Sequence, residues 1–147
     1  MLRKVKSFTL VELIIVVIIV GILASLGFTQ YSQVVEKSRL AEAKTRIGVM
    51  RQLAYEYYLN NGTLTGMVNA DVDAGVSCST GSFYAYYLWV GASGEEASLV
   101  AARCTSGGKA PNASREYIFF MSFYPNTGQS SWHCHYGDSS PCFGLTP

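Results

Sequence analysis

The chain has 147 residues, 49% of them hydrophobic, and a formal net charge of +1. That length fits one domain plus a stalk. The absence of a Lys/Arg cluster in the C-terminal part argues against a nucleic-acid-binding head. The 2 histidines and 4 cysteines form no catalytic constellation, and no serine sits in a nucleophile elbow. No enzymatic activity, cofactor or small-molecule substrate is expected.

The chain opens with a basic leader, Met1–Ser7, which carries Arg3, Lys4 and Lys6 and no acid. Without these three residues, the remainder of the 11 basic side chains faces 10 acidic ones, so the rest of the chain is slightly acidic. From Leu13 to Thr29 there is no charge. As a helix, Phe8 to Phe28 spans about 30 Å, the thickness of a bilayer's hydrocarbon core. Positive charge beside an apolar span stays cytoplasmic, which places everything after it across the membrane. Ala24-Ser25-Leu26-Gly27 imitates a signal-peptidase site, but the helical pattern runs past it and the span is read as retained.

The one charge near the start of this span is Glu12. A carboxylate at mid-bilayer costs roughly 2.5–3.5 kcal/mol on insertion scales, so an intramembrane acid is functional by default and calls for a partner. A free α-amino group is a suitable one.

Beyond the span the pattern turns amphipathic. Leu40, Ala43, Ile47, Met50, Ala54 and Tyr57 recur at spacings of three and four, with charged residues on the other faces. Glu42 and Arg46 stand at i,i+4 in the favourable order and are expected to pair. Nothing stops the helix before Asn60-Asn61-Gly62, a left-handed cap signal. One helix from Phe8 to Leu59 is therefore expected, about 78 Å long.

Its apolar stripe needs a surface to bury against, and strand-rich segments follow. Ser82–Val90 and Tyr117–Tyr124 read as strands, as does Ser131–Tyr136. Ser98–Cys104 reads as a strand between them, although its alanines also suit a helix. Gly91–Gly94, Gly107-Gly108 and Pro125–Gly128 are the turns. Residues 62–81 form a weakly patterned connection. Ser77–Ser82, Thr105–Lys109 and Asn126–Ser131 read as loops. The expected fold class is α+β: a long N-terminal helix whose second half packs on a small antiparallel sheet. The 10 tyrosines and 7 phenylalanines are read as packing.

Cys78, Cys104, Cys134 and Cys142 all lie in the exported part, and an even count there reads as two disulfides. Four cysteines allow three pairings. Cys78–Cys104 and Cys134–Cys142, which each close a local loop, are favoured. His133-Cys134-His135, with Asp138 and Cys142 near, is the one cluster resembling a metal site. Alternation along a strand sends Cys134 to the face opposite both histidines, and the spacing fits no zinc signature, so no metal is expected. Asn61-Gly62-Thr63 and Asn112-Ala113-Ser114 match the glycosylation sequon and are read as chance occurrences.

Lys6-Ser7-Phe8-Thr9-Leu10-Val11-Glu12-Leu13, followed by Ile14 to Leu26, resembles the N-terminus of type IV prepilins and type II secretion pseudopilins. The resemblance is specific over about residues 4–45. It implies a dedicated prepilin peptidase that cuts between Ser7 and Phe8 and methylates the new amine. Ser7 stands where the family usually has Gly, and no proline falls near Thr29. The resemblance further implies four segments: leader 1–7, filament-core helix 8–30, amphipathic helix 31–60, and disulfide-stapled head 61–147. The Cys134–Cys142 loop would pin the C-terminal tail as in many pilins.

The implied function is that of a structural subunit in a homo-oligomeric helical filament. Glu12 would pair with the Phe8 amine of a neighbour. The subunit waits in the inner membrane with its head in the periplasm, then moves to a cell-surface filament through dedicated assembly machinery. Two alternatives remain: a secretion pseudopilin, and a minor tip pilin with an adhesive or DNA-binding head. The first resemblance also raises calcium in a C-terminal loop, where Asp138 alone is available unless Asp71 and Asp73 come close; calcium needs six to eight oxygens.

Overall fold

A computed structural model describes residues 8–138 and 140–142. Helix α1 runs Leu10–Asn61. A 3-10 turn follows at Asn69–Val72. Four strands complete the order: β1 Tyr84–Val90, β2 Ala97–Arg103, β3 Tyr117–Tyr124 and β4 Gln129–Tyr136. The chain divides into two units, residues 1–36 and 37–147, with the boundary inside α1.

In the first unit the helix is apolar on every side. Its large hydrophobic side chains from Phe8 to Leu26 are all exposed. The segment Leu10–Gly27 is long and apolar enough to cross a membrane. Leu, Ile and Val here contribute little as helix formers in water; what suits them is an apolar surrounding.

In the second unit α1 buries the predicted stripe. Leu40, Ala43, Ile47, Met50 and Ala54 are all buried. Full burial of a side chain like Ile47 stabilises by about 1.5–3 kcal/mol. The helix ends where Asn60-Asn61-Gly62 predicts. Gly62 takes φ 72°, its N–H donates to Tyr58 O at 2.7 Å, and Asn61 Nδ2 donates to Tyr57 O at 2.9 Å. These bonds occupy carbonyls that a helix end otherwise leaves open.

The sheet is an antiparallel meander, β1-β2-β3-β4. Alternation sends Tyr84, Tyr86, Leu99, Ala101, Phe119, Met121, Phe123 and Cys134 into one core with the helix stripe. The alanines that made β2 ambiguous have a packing reason. Ala97 and Ala101 are fully buried opposite a helix that itself presents Ala43 and Ala54, and small residues let the backbones approach. β4 begins at Gln129, earlier than expected, because Gly128 at φ 70° turns the chain tightly enough to pair Tyr124 with Gln129.

The connection before β1 is better ordered than its sequence suggests. Asn69 Oδ1 accepts the Leu88 N–H at 2.7 Å, and Asp71 Oδ2 accepts the Val68 N–H at 2.7 Å. Arg46 does not form its expected pair with Glu42. Its guanidinium instead reaches Asp73, donating to the carboxylate and the carbonyl at 2.7 Å each. Two acceptors on one fixed, left-handed residue hold the guanidinium better than one mobile carboxylate a turn away.

Candidate functional site

The candidate site is the start of α1. Thr9-Leu10-Val11-Glu12 forms a capping box. Thr9 N–H and Thr9 Oγ1 both donate to Glu12 Oε2 at 2.8 Å. Glu12 N–H donates back to Thr9 Oγ1 at 3.3 Å. The T-x-x-E pattern is a known helix-start signature, in which each side chain satisfies a backbone donor of the other residue. Thr9 is thus a site residue that reading Glu12 only as a buried charge overlooks. Among the described residues, Glu12 Oε1 accepts no hydrogen bond, so half of the carboxylate stays available. Phe8, beside the box, is 82% exposed. Ser7 and the basic leader lie outside the described residues.

The cysteines form two disulfides. Cys78 is bonded to Cys104 with Cα atoms 5.9 Å apart, and Cys134 to Cys142 with Cα atoms 5.4 Å apart. Cys134 is buried. On the other face of β4, His133 stacks on Phe120 at 4.9 Å and His135 meets the same ring edge-on at 5.9 Å. The cluster is thus split between two faces of the sheet.

The acids considered for calcium each hold a partner within the chain. Asp138 Oδ1 accepts the Ser140 N–H and hydroxyl, and its Oδ2 accepts Arg115 at 2.7 Å. The Ser140 bonds, with Arg115 adding less, keep the Asp138 carboxyl below its usual range. Asp71 caps Val68, and Asp73 holds Arg46.

A cleft of about 260 Å³ lies between α1 and the 75–82 segment, lined by Glu42, Arg46, Ser77, Ser82 and Tyr86 among others. It is smaller than ordinary ligand pockets, which run about 300–1,000 Å³. Burial, with the Glu42 charge adding, pushes the Tyr86 hydroxyl up to about 12.

Residues 2–28 match the family described as the prokaryotic N-terminal methylation motif. The chain is 30% identical over 135 residues to the fimbrial protein EcpC of Eikenella corrodens, covering 91% of this chain and 85% of that one. It is 40% identical over 57 residues to a type IV major pilin, PilE1, of Neisseria gonorrhoeae, covering 39% of this chain and 34% of that one. This chain belongs to the type IV pilin family. A third relative of this pilin is a probable minor fimbrial protein of Dichelobacter nodosus, 44% identical over 64 residues, or 44% of this chain and 40% of the other. The shorter matches are the more identical ones, while the EcpC likeness runs through the pilin's head as well.

Proposed function

We propose that this pilin is the structural subunit of a type IV pilus-like filament at the cell surface. It is cut between Ser7 and Phe8 and assembled through its N-terminal helix. The observation that carries the reading is an apolar helix exposed on every side, bearing one carboxylate with a free oxygen at its start. Such a surface has two stable surroundings: lipid, or a bundle of like helices. Exchanging the first for the second replaces one apolar contact with another, so burial alone gives assembly little direction.

Glu12 supplies the direction. Its Oε1 would accept the new Phe8 amine of a neighbouring subunit while Oε2 keeps its Thr9 cap. In an apolar bundle that ion pair is far stronger than in water, but desolvation offsets much of the gain. The pair therefore sets register more than net stability. Before assembly the subunit sits in the inner membrane with its head outside. A prepilin peptidase and pilus assembly machinery are the implied partners. A minor rather than major subunit is the second reading, favoured by the name of the Dichelobacter relative.

Electron microscopy of sheared filaments, with intact-mass measurement of their subunits, tests the proposal. The expected subunit begins at a methylated Phe8. Filaments without this chain, or a subunit retaining Met1, would overturn it.

A further inference from the structure

The head gathers three cations on one aromatic ring. Around Phe83 stand Arg39 Cζ at 4.8 Å, Lys109 Nζ at 4.8 Å and Arg103 Cζ at 5.2 Å. The ring's negative face attracts each of them, but three cations at one ring also repel one another, so the cluster favours an anion. The frame around it is rigid. The Lys109 N–H donates to Ser82 O at 2.8 Å. Arg103 ties Phe83 O to Pro111 O, and the Cys78–Cys104 disulfide closes the same loop. Lys109 is exposed, and among the described residues no carboxylate pairs with it. Two acids share this end of the sheet: Asp138, already held by Arg115, and the exposed Glu116, which reduces the positive excess without removing it.

The opposite end of β1 carries the complement. From Phe83 to Gly91 the strand covers about 26 Å, at about 3.3 Å per residue. There the turn into β2 presents Glu95, exposed, and Glu96, half-buried. The turn is fixed by Gly91 N–H to Glu96 O at 2.9 Å and by Leu64 N–H to Gly94 O at 3.0 Å. No Lys or Arg occurs anywhere from Gln52 to Ala102, so nothing local in sequence neutralises these acids. Their field is felt by Tyr124: a hydrogen bond to Glu96, with loss of water and the carboxylate's charge adding, raises its hydroxyl above the usual range.

We infer that the Arg39–Lys109 cluster on Phe83 docks the Glu95–Glu96 turn of a second copy of this chain, so that heads stack end to end along the filament. This rests on the filament-subunit reading. Charge complementarity selects the occupant, because each head carries both halves of the contact at opposite ends. The pattern repeats from head to head, so weak exposed pairs act many times over along one filament.

The test uses the full chain, expressed as the sole pilin in cells with intact assembly machinery. Four arms are compared with wild type: Lys109→Glu, Lys109→Gln, Glu95→Lys, and Lys109→Glu with Glu95→Lys together. Both sites are exposed, so membrane levels of oxidised subunit should be unchanged. The two reversals should each cut sheared-filament yield several-fold, the neutral Lys109→Gln should fall between, and the double reversal should restore near-normal yield. Normal yield from the reversals, or a double variant no better than either single, would overturn the docking while leaving the subunit reading intact. Unchanged filaments that lose retention of duplex DNA on Lys109→Glu would reassign the cations to phosphate and overturn it too. If wild type itself forms no filaments, the subunit reading fails, and the docking with it.

Discussion

Thr9 and Glu12 cap α1 reciprocally, and both Thr9 donors fall on the same oxygen of the Glu12 carboxylate. The acid that looks unpartnered within an apolar helix is half-partnered before any neighbour arrives. The cap lowers the cost of keeping Glu12 among apolar residues and leaves Oε1 for a second partner.

Two roles for Glu12, cap and ion pair, can therefore be separated. Glu12→Gln preserves a capping box, since Gln serves at this position as Glu does, but removes the charge. Thr9→Val removes the cap, a loss of about 0.5–2 kcal/mol in ordinary helices, and keeps the charge. Under the proposed mechanism Glu12→Gln inserts normally yet yields few or no filaments, while Thr9→Val still assembles. Mixed with wild type, Glu12→Gln subunits regain some assembly, because each still offers its own Phe8 amine. Filament yield by shearing decides the matter. A fully assembling Glu12→Gln would reduce Glu12 to a helix cap.

The two disulfides should differ in weight. Cys78 and Cys104 are separated by 26 residues, Cys134 and Cys142 by 8. On the chain-entropy argument a bridge contributes about 2–4 kcal/mol, more for the longer loop. Replacing Cys78 and Cys104 by Ser should lower the urea midpoint of the detergent-solubilised chain more than replacing Cys134 and Cys142. The reverse order would show that packing of the tail, not loop closure, dominates.

Much of this fold is legible in sequence because single residues carry strong local rules. Asn60-Asn61-Gly62 can hardly continue a helix, and the spacing from Leu40 to Ala54 leaves one face apolar. What stays hidden depends on distant partners. Arg46 has a good neighbour in Glu42 but a better one in Asp73, which only the folded 69–73 turn presents. The alanines of β2 look helical until the helix they face is placed. Arg39, Arg103 and Lys109 are scattered along the chain, so no charge run announces the cluster on Phe83. Thr9 is a different case: T-x-x-E is readable, but the charge of Glu12 draws attention from its spacing.

Arg103 makes a further point about buried charge. It is 1% exposed and donates to Phe83 O at 3.0 Å, Cys104 O at 3.2 Å and Pro111 O at 3.0 Å. Arg103→Met should destabilise the head by about 1–3 kcal/mol, the cost of leaving buried acceptors unmet. Arg103→Lys should recover only part of this, because an ammonium lacks the planar fork that spans several carbonyls. Hydrogen exchange should quicken first in residues 104–113. Protection there equal to wild type in Arg103→Met would show that the disulfide alone holds the loop.

Tyr86 makes stability depend on alkaline pH. Its hydroxyl is raised from an ordinary value near 10 to about 12, chiefly by burial, with Glu42 adding and Arg46 opposing. The unfolded chain releases this proton near pH 10, while the folded chain keeps it until about pH 12. Between these values the folded state binds more protons, so stability falls as pH rises. Its contribution is whole below pH 10 and lost by about pH 12. Other tyrosines titrate in the same range, so the comparison must be between variants. Tyr86→Phe has no proton to lose and should show a shallower fall in melting temperature from pH 10 to 12 than wild type. Glu42→Gln should also be shallower, by less, because the Glu42 charge is a smaller cause than burial. Identical slopes for wild type and Tyr86→Phe would mean that the hydroxyl is as well solvated in the folded head as in the unfolded chain.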